Sequence, residues 1–348
     1  MEEIELDGSY GEGGGQLLRT AAYFSVALHR SIHVTNIRKG RGTPGLRPQH
    51  VAVLRILRDT SKGILEGDDV GSTEIRFTPG SLGDASTEVD LGTAASIALI
   101  LQALVPAVSI SGSSLRATFR GGTDVPWSPT SDYVTRIIQP AFRLLGINFE
   151  LTLRRRGYYP VGGGIAELVI HPCREVIAID LPERNVDSSA LILSRCAMLP
   201  RHVAERQRSA ALHLLTQKGV SVEESLIGVE ESSSPGSSIL IALLNDHCMI
   251  GADALGRRGA RAESVGEEAA RRFLTSFDSR ASVDPNLADN IAPLLCLSKS
   301  SSRFFVPEVT DHLRTSLHVA RVFTGVDYDF SKASSSWLVT ITPNQQNS

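Results

Sequence analysis

The sequence has few cysteines, and their positions exclude the usual cysteine-based sites. Four cysteines are scattered over 348 residues, at Cys173, Cys196, Cys248 and Cys296. They form no CxxC pair and have no histidines at zinc-binding spacing. We therefore predict reduced, buried thiols and neither a disulfide framework nor a zinc site.

Excess positive charge and long apolar runs are also missing. The formal net charge is −3, so the chain has no global cationic field of the kind that coats nucleic acid, and any nucleic-acid contact must be local. The longest apolar run, residues 94–108, is interrupted by Ser96, Gln102 and Pro106 and is too short to cross a bilayer. The N-terminal residues MEEIELDGSYGEGG lack the features of a signal peptide. These patterns predict a cytoplasmic protein without a membrane partner.

The hydrophobic pattern alternates short β-branched runs with longer helical stretches, which is typical of α/β or α+β proteins. The pattern predicts helices at 16–28, 46–60, 93–105, 131–145, 201–218, 262–277, 286–297 and 312–323, and strands at 32–38, 74–78, 115–119, 149–153, 304–306 and 337–341. Glycine clusters recur at 11–15, 121–122 and 162–164, next to element boundaries. This recurrence predicts a repeated unit of about eighty residues.

The residue composition changes near residue 184, after which charged helices and the polar stretch EESSSPGSS follow. It returns to the earlier apolar pattern near residue 280. An insertion whose two ends rejoin the main body fits this change better than two domains in tandem. We predict a main body formed by residues 1–183 and 280–348, with a smaller inserted α/β domain at 184–279.

The segment DGSYGEGGGQLLRT, residues 7–20, places glycines ahead of a helix. Backbone N–H groups at such a turn can bind phosphate, and glycine allows close approach. Glu12 lies among these glycines, where its carboxylate could hold a magnesium ion against phosphates. An ordinary turn with a solvated acid is the alternative.

Residues 38–50, RKGRGTPGLRPQH, carry four cationic side chains and no acid. Arginine matches phosphate oxygens bidentately, so this stiff loop suits a phosphate end or a polyphosphate. Arg19, in the preceding helix, could join the cluster. A solvated surface loop is the alternative.

His312 differs from the other histidines because it opens a predicted helix in the segment VTDHLRTSLHVARVF, with Thr310 or Asp311 as the N-cap. The positive end of the helix dipole favours a neutral imidazole and stabilises a phosphoryl group attached to it. His318, about 240° further around the helix, should not share that position. A structural histidine is the alternative.

Taken together, several blocks resemble the signature segments of RNA 3′-terminal phosphate cyclases, above all the archaeal-type members. The blocks occur in the family's order over residues 7–323: DGSYGEGGGQLLRT, IRKGRGTPGLRPQH, GGTDVPWSP, RRGYYPVGGG, LPRHVAER, DPNLADN and TDHLRTSLHVARVF. The resemblance implies an α/β (α+β) main body of repeated units, each a small sheet backed by two helices, with a smaller inserted α/β domain.

The resemblance also implies a reaction and its residues. A histidine, here His312, takes AMP from ATP, AMP passes to an RNA 3′-phosphate, and the 2′-hydroxyl displaces AMP to leave a 2′,3′-cyclic phosphate. The implied nucleotide contacts are Gln102, Asp284, Pro285, Asn286, Leu287, Ala288, Asp289 and Asn290, the last seven in a loop. The implied RNA-phosphate contacts are Arg19, Arg38, Arg41, Gln49 and His50. Glu12 is the implied contact to Mg²⁺ or Mn²⁺, RNA with a 3′-terminal phosphate is the partner, and a homodimer is compatible with the family.

The sequence departs from the family pattern at a few positions. The usual Ala-Asp-Gln is LADN here, so Asn290 has a shorter reach; Thr315-Ser316 replaces Thr-Asn, and Trp127 replaces a smaller residue. Two alternatives share the fold: a non-catalytic ribosome-assembly factor, which lacks the nucleophilic histidine, and an enolpyruvyl transferase, which forms no covalent nucleotide.

Overall fold

A computed structural model describes residues 3–11, 14–92, 94–184 and 189–344. Its main body contains one strand and helix pattern, βαβαββ, three times. In each copy the first two strands are parallel, and the fourth strand pairs antiparallel with both the second and the third. The predicted α/β class and the repeated sheet and helix unit are confirmed.

The first unit has the strand order β1-β2-β4-β3. Its elements are β1 (Ile4–Asp7), α1 (Gly15–Leu28), β2 (Ile32–Thr35), α2 (Pro48–Ser61), β3 (Ile64–Glu66) and β4 (Ile75–Thr78). Strands β1 and β4 alternate buried and exposed residues, so one sheet face packs on the helices while the other meets solvent. Helix α1 is buried over most of its length because it packs against helices of all three units.

The second unit repeats this order as β5-β6-β8-β7. Its elements are β5 (Ala85–Asp90), α3 (Ile97–Ile110), β6 (Leu115–Gly121), a continuous helix of α4 (Ser131–Tyr133), a π-helical turn (Val134–Ile138) and α5 (Gln139–Leu144), then β7 (Phe149–Arg155) and β8 (Gly164–Ile170). Helix α3 is apolar on nearly every side, as expected of a helix that other helices surround.

The third unit begins with a short extended segment at 179–181, which bridges in parallel to the next strand of its sheet through Asp180 and Arg303. The inserted segment follows this strand, and the unit resumes at residue 285. Its remaining elements, labelled after those of the insertion, are α8 (Pro285–Leu295), β13 (Ser302–Val306), α9 (Asp311–Thr324), β14 (Asp327–Lys332) and β15 (Trp337–Thr342).

The insertion has a different strand order, β10-β9-β11-β12, with two helices on one face. Its elements are β9 (Ala190–Ala197), α6 (His202–Gln217), β10 (Val222–Val229), β11 (Gly236–Asn245), β12 (Cys248–Leu255) and α7 (Ala262–Asp278). In β11, Ile239 and Ile241 pack under these helices, whereas Leu240 and Ala242 belong to the core of the main body. The insertion therefore has a core of its own and also shares the main one; its boundaries at 184 and 279 stay a prediction.

Several predicted element bounds were wrong for local reasons. The strand predicted to reach Arg38 ends at Thr35, because Asn36 and Arg38 adopt left-handed backbone angles (φ 52° and 56°). The helix predicted at 93–105 starts at Ile97, after its N-cap Ser96, and continues through Pro106 to Ile110. Strands β1, β3, β5, β8, β9, β10 and β14 were not predicted. Of these, β3, β5 and β14 have few buried residues, so their sequences lack a strong apolar signal.

Candidate active site

A narrow cavity lies where the first helices of the three units meet. It is lined by Gln16, Arg19 and Tyr23 from α1, Gln102 from α3, and Asp289 and Asn290 from α8. Residues separated by more than 250 positions in the chain are therefore neighbours. Four predicted site residues, Arg19, Gln102, Asp289 and Asn290, share this cavity.

His312 lies beside it, in the first turn of α9. Of the two predicted candidates, Thr310 is the N-cap, and its Oγ1 accepts a hydrogen bond from the Leu313 N–H. The His312 side chain is 46% exposed, so a substrate can reach the ring. The helix start thus presents an accessible imidazole at the positive end of the dipole.

Asp289 connects this imidazole to the cavity. Its Oδ2 lies 3.6 Å from His312 Nδ1, and its Oδ1 accepts a hydrogen bond of 2.8 Å from the Thr310 hydroxyl. Burial raises the pKa of Asp289, while the neighbouring His312 and the hydrogen bond from Thr310 act in the opposite direction. A carboxylate next to Nδ1 favours the tautomer that carries its proton there, which leaves the Nε2 lone pair free for attack.

The glycine-rich segment packs against the same helix. Gly11 has φ 64°, and a Cβ at this position would collide with the Thr315 hydroxyl, so the close approach requires glycine. The Tyr10 ring stacks on His318, with ring centroids 3.7 Å apart. His318 thus fixes the glycine segment instead of lying free on another face. Glu12 lies outside the described residues.

His50 contacts the start of α1. A Cβ at Gly15 would collide with His50 Nε2, and it would lie 3.4 Å from Arg19 Nη1. Burial, followed by the charges of Arg19, Arg38 and Arg47, lowers the pKa of His50 to about 4. His50 Nδ1 accepts the Arg47 backbone N–H at 3.0 Å, so the neutral ring carries its proton on Nε2. His50 therefore offers a neutral donor at the glycine-rich helix start.

The predicted cationic side chains do not all lie at the glycine-rich start of α1. Burial lowers the pKa of Arg19 to about 10, an effect that the charge of Asp289 opposes, so Arg19 remains a cation at neutral pH. Arg41 Nη2 lies 3.4 Å from a Cβ placed on Gly14. The Arg38 guanidinium donates to the carbonyl oxygens of Thr43 and Gly45, so Arg38 braces the loop. Gln49 is exposed on the first turn of α2.

The resemblance implied a loop at 284–290, whereas the hydrophobic pattern predicted a helix from residue 286. The stretch forms the N-cap and first turns of α8, because Asp284 caps a helix with proline at its first position. Asp284 is buried, and its carboxylate accepts from the Leu287 N–H, the Tyr133 hydroxyl and the Gly251 N–H. Burial raises its pKa to about 7. Asp284 therefore has a structural role on this geometry.

The residues that follow Asp284 differ in burial according to their position on the helix. Leu287 and Ala288 are fully buried in the core, Pro285 is partly buried, and Asn286 is exposed. The Asn290 amide donates to the Asn286 carbonyl. Only Asp289 and Asn290 of this stretch line the cavity, and nucleotide contacts by the others stay predictions.

Three contributions escaped sequence reasoning. Thr310 supports Asp289 besides capping α9; Tyr10 holds the glycine segment on α9; and Arg47 acts on both His50 and Arg38. Arg47 was one of the four cations of the basic loop and could have been named from that signal. The other two depend on contacts between distant segments and left no local signal.

One carboxylate and histidine group in the described part of the chain has ligand atoms close enough for a metal ion, namely Glu3, Glu5 and His33. It lies on the outer face of the first sheet, since Ile4 and Leu6 point to the helices. Arg76 bonds Glu3 and approaches His33. The positively charged guanidinium of Arg76 already lies among these three side chains, which disfavours a metal ion there.

The fold and the site define a protein of three βαβαββ units with an exposed histidine, a buried carboxylate and a narrow cavity at their junction. The family model of RNA 3′-terminal phosphate cyclases matches residues 10–330. The RNA 3′-terminal phosphate cyclase of Pyrococcus furiosus is 41% identical over 325 residues, which cover 92% of this chain and 93% of that protein. That of Thermococcus kodakarensis is 41% identical over 326 residues, which cover 93% of this chain and 94% of that protein. That of Saccharolobus solfataricus is 37% identical over 338 residues, 94% of this chain and 96% of that protein. The chain belongs to the RNA 3′-terminal phosphate cyclase family, a family of ligase-type enzymes, as its sequence blocks predict.

In the described part of the chain, no helix combines the length and apolar character needed to cross a membrane.

Proposed function

We propose that this enzyme converts an RNA 3′-terminal phosphate into a 2′,3′-cyclic phosphate with ATP, through AMP bound covalently to His312. The observation that carries the proposal is the pairing of His312 with the buried Asp289, beside a cavity to which all three repeated units contribute. An exposed imidazole oriented by a carboxylate fits a nucleophile better than a structural histidine.

In the first step, Nε2 of neutral His312 attacks the α-phosphorus of ATP. The bond from that phosphorus to the bridging oxygen breaks, pyrophosphate leaves, and a phosphoramidate joins AMP to the ring. Asp289 holds the Nδ1 proton and compensates the positive charge that develops on the imidazole. The helix dipole of α9 favours the phosphoryl group in the product.

In the second step, an oxygen of the RNA 3′-phosphate attacks the phosphorus of the bound AMP, which frees His312 and forms an RNA-adenylate. The 2′-hydroxyl of the terminal ribose then loses its proton and attacks the RNA phosphorus, and AMP departs. A phosphate monoester is a poor electrophile, and adenylation supplies AMP as the leaving group. Arg19, Arg41 and the neutral donor of His50 would hold the anionic RNA end.

Mg²⁺ or Mn²⁺ would neutralise phosphate charge during these transfers. The implied metal residue, Glu12, is outside the described residues, so this role stays a prediction. The cytoplasmic location and the homodimer also stay predictions of the sequence.

Incubation with α-labelled ATP tests the proposed function. The purified enzyme should become labelled, and it should lose the label on addition of RNA with a 3′-phosphate while cyclic ends appear. Absence of both label and cyclisation would favour a non-catalytic factor. A labelled protein that ignores RNA would place the acceptor in another class of molecule.

The Arg41→Ala substitution tests the phosphate-binding role of the basic loop. Arg41 is exposed and reaches the glycine-rich start of α1. The variant should transfer AMP to RNA and cyclise about 10- to 100-fold more slowly, because one charge-assisted contact to the phosphate is lost, while adduct formation stays comparatively intact. Single-turnover measurement of each step separates the two. An equal loss of adduct would instead assign Arg41 to ATP. The control is Arg174→Ala, at an exposed position outside the cavity lining.

A further inference from the structure

Trp127 is an exposed tryptophan whose position packing does not explain. Its side chain is 96% exposed, the highest value among the exposed large hydrophobic residues of the described chain, and its backbone is left-handed (φ 62°). Both features cost free energy, and strained backbone of this kind clusters at functional sites. The established family activity does not assign this residue a role.

The loop that carries Trp127 is held firmly on both sides. Before it, buried Asp124 accepts hydrogen bonds from Arg156 and Ser131. After it, the Ser128 hydroxyl bonds that of Ser96, and the Thr130 N–H donates to Asp253. The indole is therefore presented to solvent by a rigid loop.

A second exposed aromatic ring lies on the adjoining loop. Tyr159 is 63% exposed, and its loop joins the Trp127 loop through hydrogen bonds from Thr123 and Asp124 to Gly157. Each ring is within three residues of the bridge between Asp124 and Tyr158. At no more than about 3.6 Å per residue from this bridge, the two rings lie on adjoining loops, which we together call the Trp127 surface.

The Trp127 surface is connected to the walls of the active-site cavity. Ser96, which bonds Ser128, is the N-cap of α3, and Gln102 of the cavity follows six residues later, a rise of about 9 Å. Tyr133, in the helix that begins after the Trp127 loop, bonds Asp284 at the start of α8. The Trp127 surface thus lies near the cavity but outside it.

Two arginines on segments that are hydrogen-bonded to these loops have no carboxylate partner in the described part of the chain. The Arg155 guanidinium donates to the Gly163 carbonyl, in the Tyr159 loop, and has no ion pair in the described part of the chain. Arg258 is exposed in the turn that follows β12, five residues after Asp253, and likewise has none there. Exposed aromatic rings beside cations are the combination that binds single-stranded nucleic acid, where bases stack and phosphates pair with arginine.

We propose that the Trp127 surface binds the single-stranded RNA upstream of the reacting end, with a base stacked on Trp127 and a second on Tyr159. The proposal rests on the proposed function, since it concerns the same RNA substrate. The indole is almost completely exposed, which suits an RNA strand that crosses the surface. The base of ATP is the less suitable ligand, because an enclosed pocket would surround it.

Intrinsic fluorescence gives a direct test, because Trp127 and Trp337 are the two tryptophans of the chain. In the Trp337→Phe variant, a decamer RNA with a 3′-phosphate should quench the remaining indole. In the wild-type background, Trp127→Ala should weaken binding of the decamer roughly 10-fold, while Trp127→Phe should keep most of the affinity. The affinity advantage of the decamer over a 3′-phosphorylated dinucleotide should shrink in Trp127→Ala.

Three results would overturn the proposal. The first is an unchanged decamer affinity in Trp127→Ala, and the second is quenching by ATP alone together with a raised KM for ATP in Trp127→Ala. The third is a changed oligomeric state of Trp127→Ala with its RNA affinity intact, which would make this surface a contact between copies of the chain. Thermal unfolding checks that each variant is folded. Labelling of the wild-type enzyme with AMP is measured separately, so failure of the proposed function is distinguished from failure of RNA stacking.

Discussion

The His312→Asn enzyme is expected to form no AMP adduct and no cyclic phosphate. Asparagine keeps polarity and approximate size, but its amide has no nucleophilic lone pair, so the first covalent step is lost. The fold should persist, because the side chain is 46% exposed and Thr310 caps α9 without it. Labelling with α-labelled ATP and cyclisation of 3′-phosphorylated RNA measure the two losses.

The control for this variant should be a histidine remote from the site. His213→Asn, exposed on α6, is preferable to His318→Asn, because His318 stacks on Tyr10 of the glycine segment. His213→Asn should label as the wild type does. An adduct on His312→Asn that is labile to acid and stable to alkali would place the nucleophile on another nitrogen. His50, the next candidate from the sequence, is buried and its Nδ1 accepts the Arg47 N–H, so the structure argues against it.

Asp289→Asn is expected to slow adduct formation at least about 100-fold. An asparagine amide can donate to Nδ1 and thereby favour the tautomer with a protonated Nε2, which cannot attack phosphorus. The Thr310 contact can survive, since the amide oxygen still accepts. Single-turnover labelling measures the rate, and KM for ATP shows whether binding changed as well. Asp311→Asn, which removes an exposed charge next to His312, is the matched control and should stay within about threefold.

The pH profile separates orientation of His312 from a merely structural role of Asp289. Burial raises the pKa of Asp289, so its carboxylate takes up a proton at a higher pH than an ordinary aspartate when the solution is acidified. Wild-type adduct formation should therefore fall as the pH drops through that raised value. This inflection should be absent in Asp289→Asn. An unchanged profile, with only lowered thermal stability, would contradict the orienting role.

The sequence alone determined the features that depend on neighbouring residues. Helix α9 starts where Thr310 can cap it, and this places His312 in its first turn. The glycine-rich residues 11–14 precede α1, and the cations of 38–50 follow β2. The ordered sequence blocks predict the family, and the match of the family model over residues 10–330 confirms it.

The tertiary structure decided what depends on contacts between distant segments. Sequence reasoning assigned Asp284 and Asp289 the same role, yet Asp284 is buried under Tyr133 and Gly251, while Asp289 faces His312. They differ because positions five apart point to different sides of a helix, and only the packing of α8 against α9 decides which side meets the site. His50 is likewise neutral because burial and three arginines act on it together. Such pKa values and contacts depend on the distances between residues of different units. No local sequence pattern gives these distances.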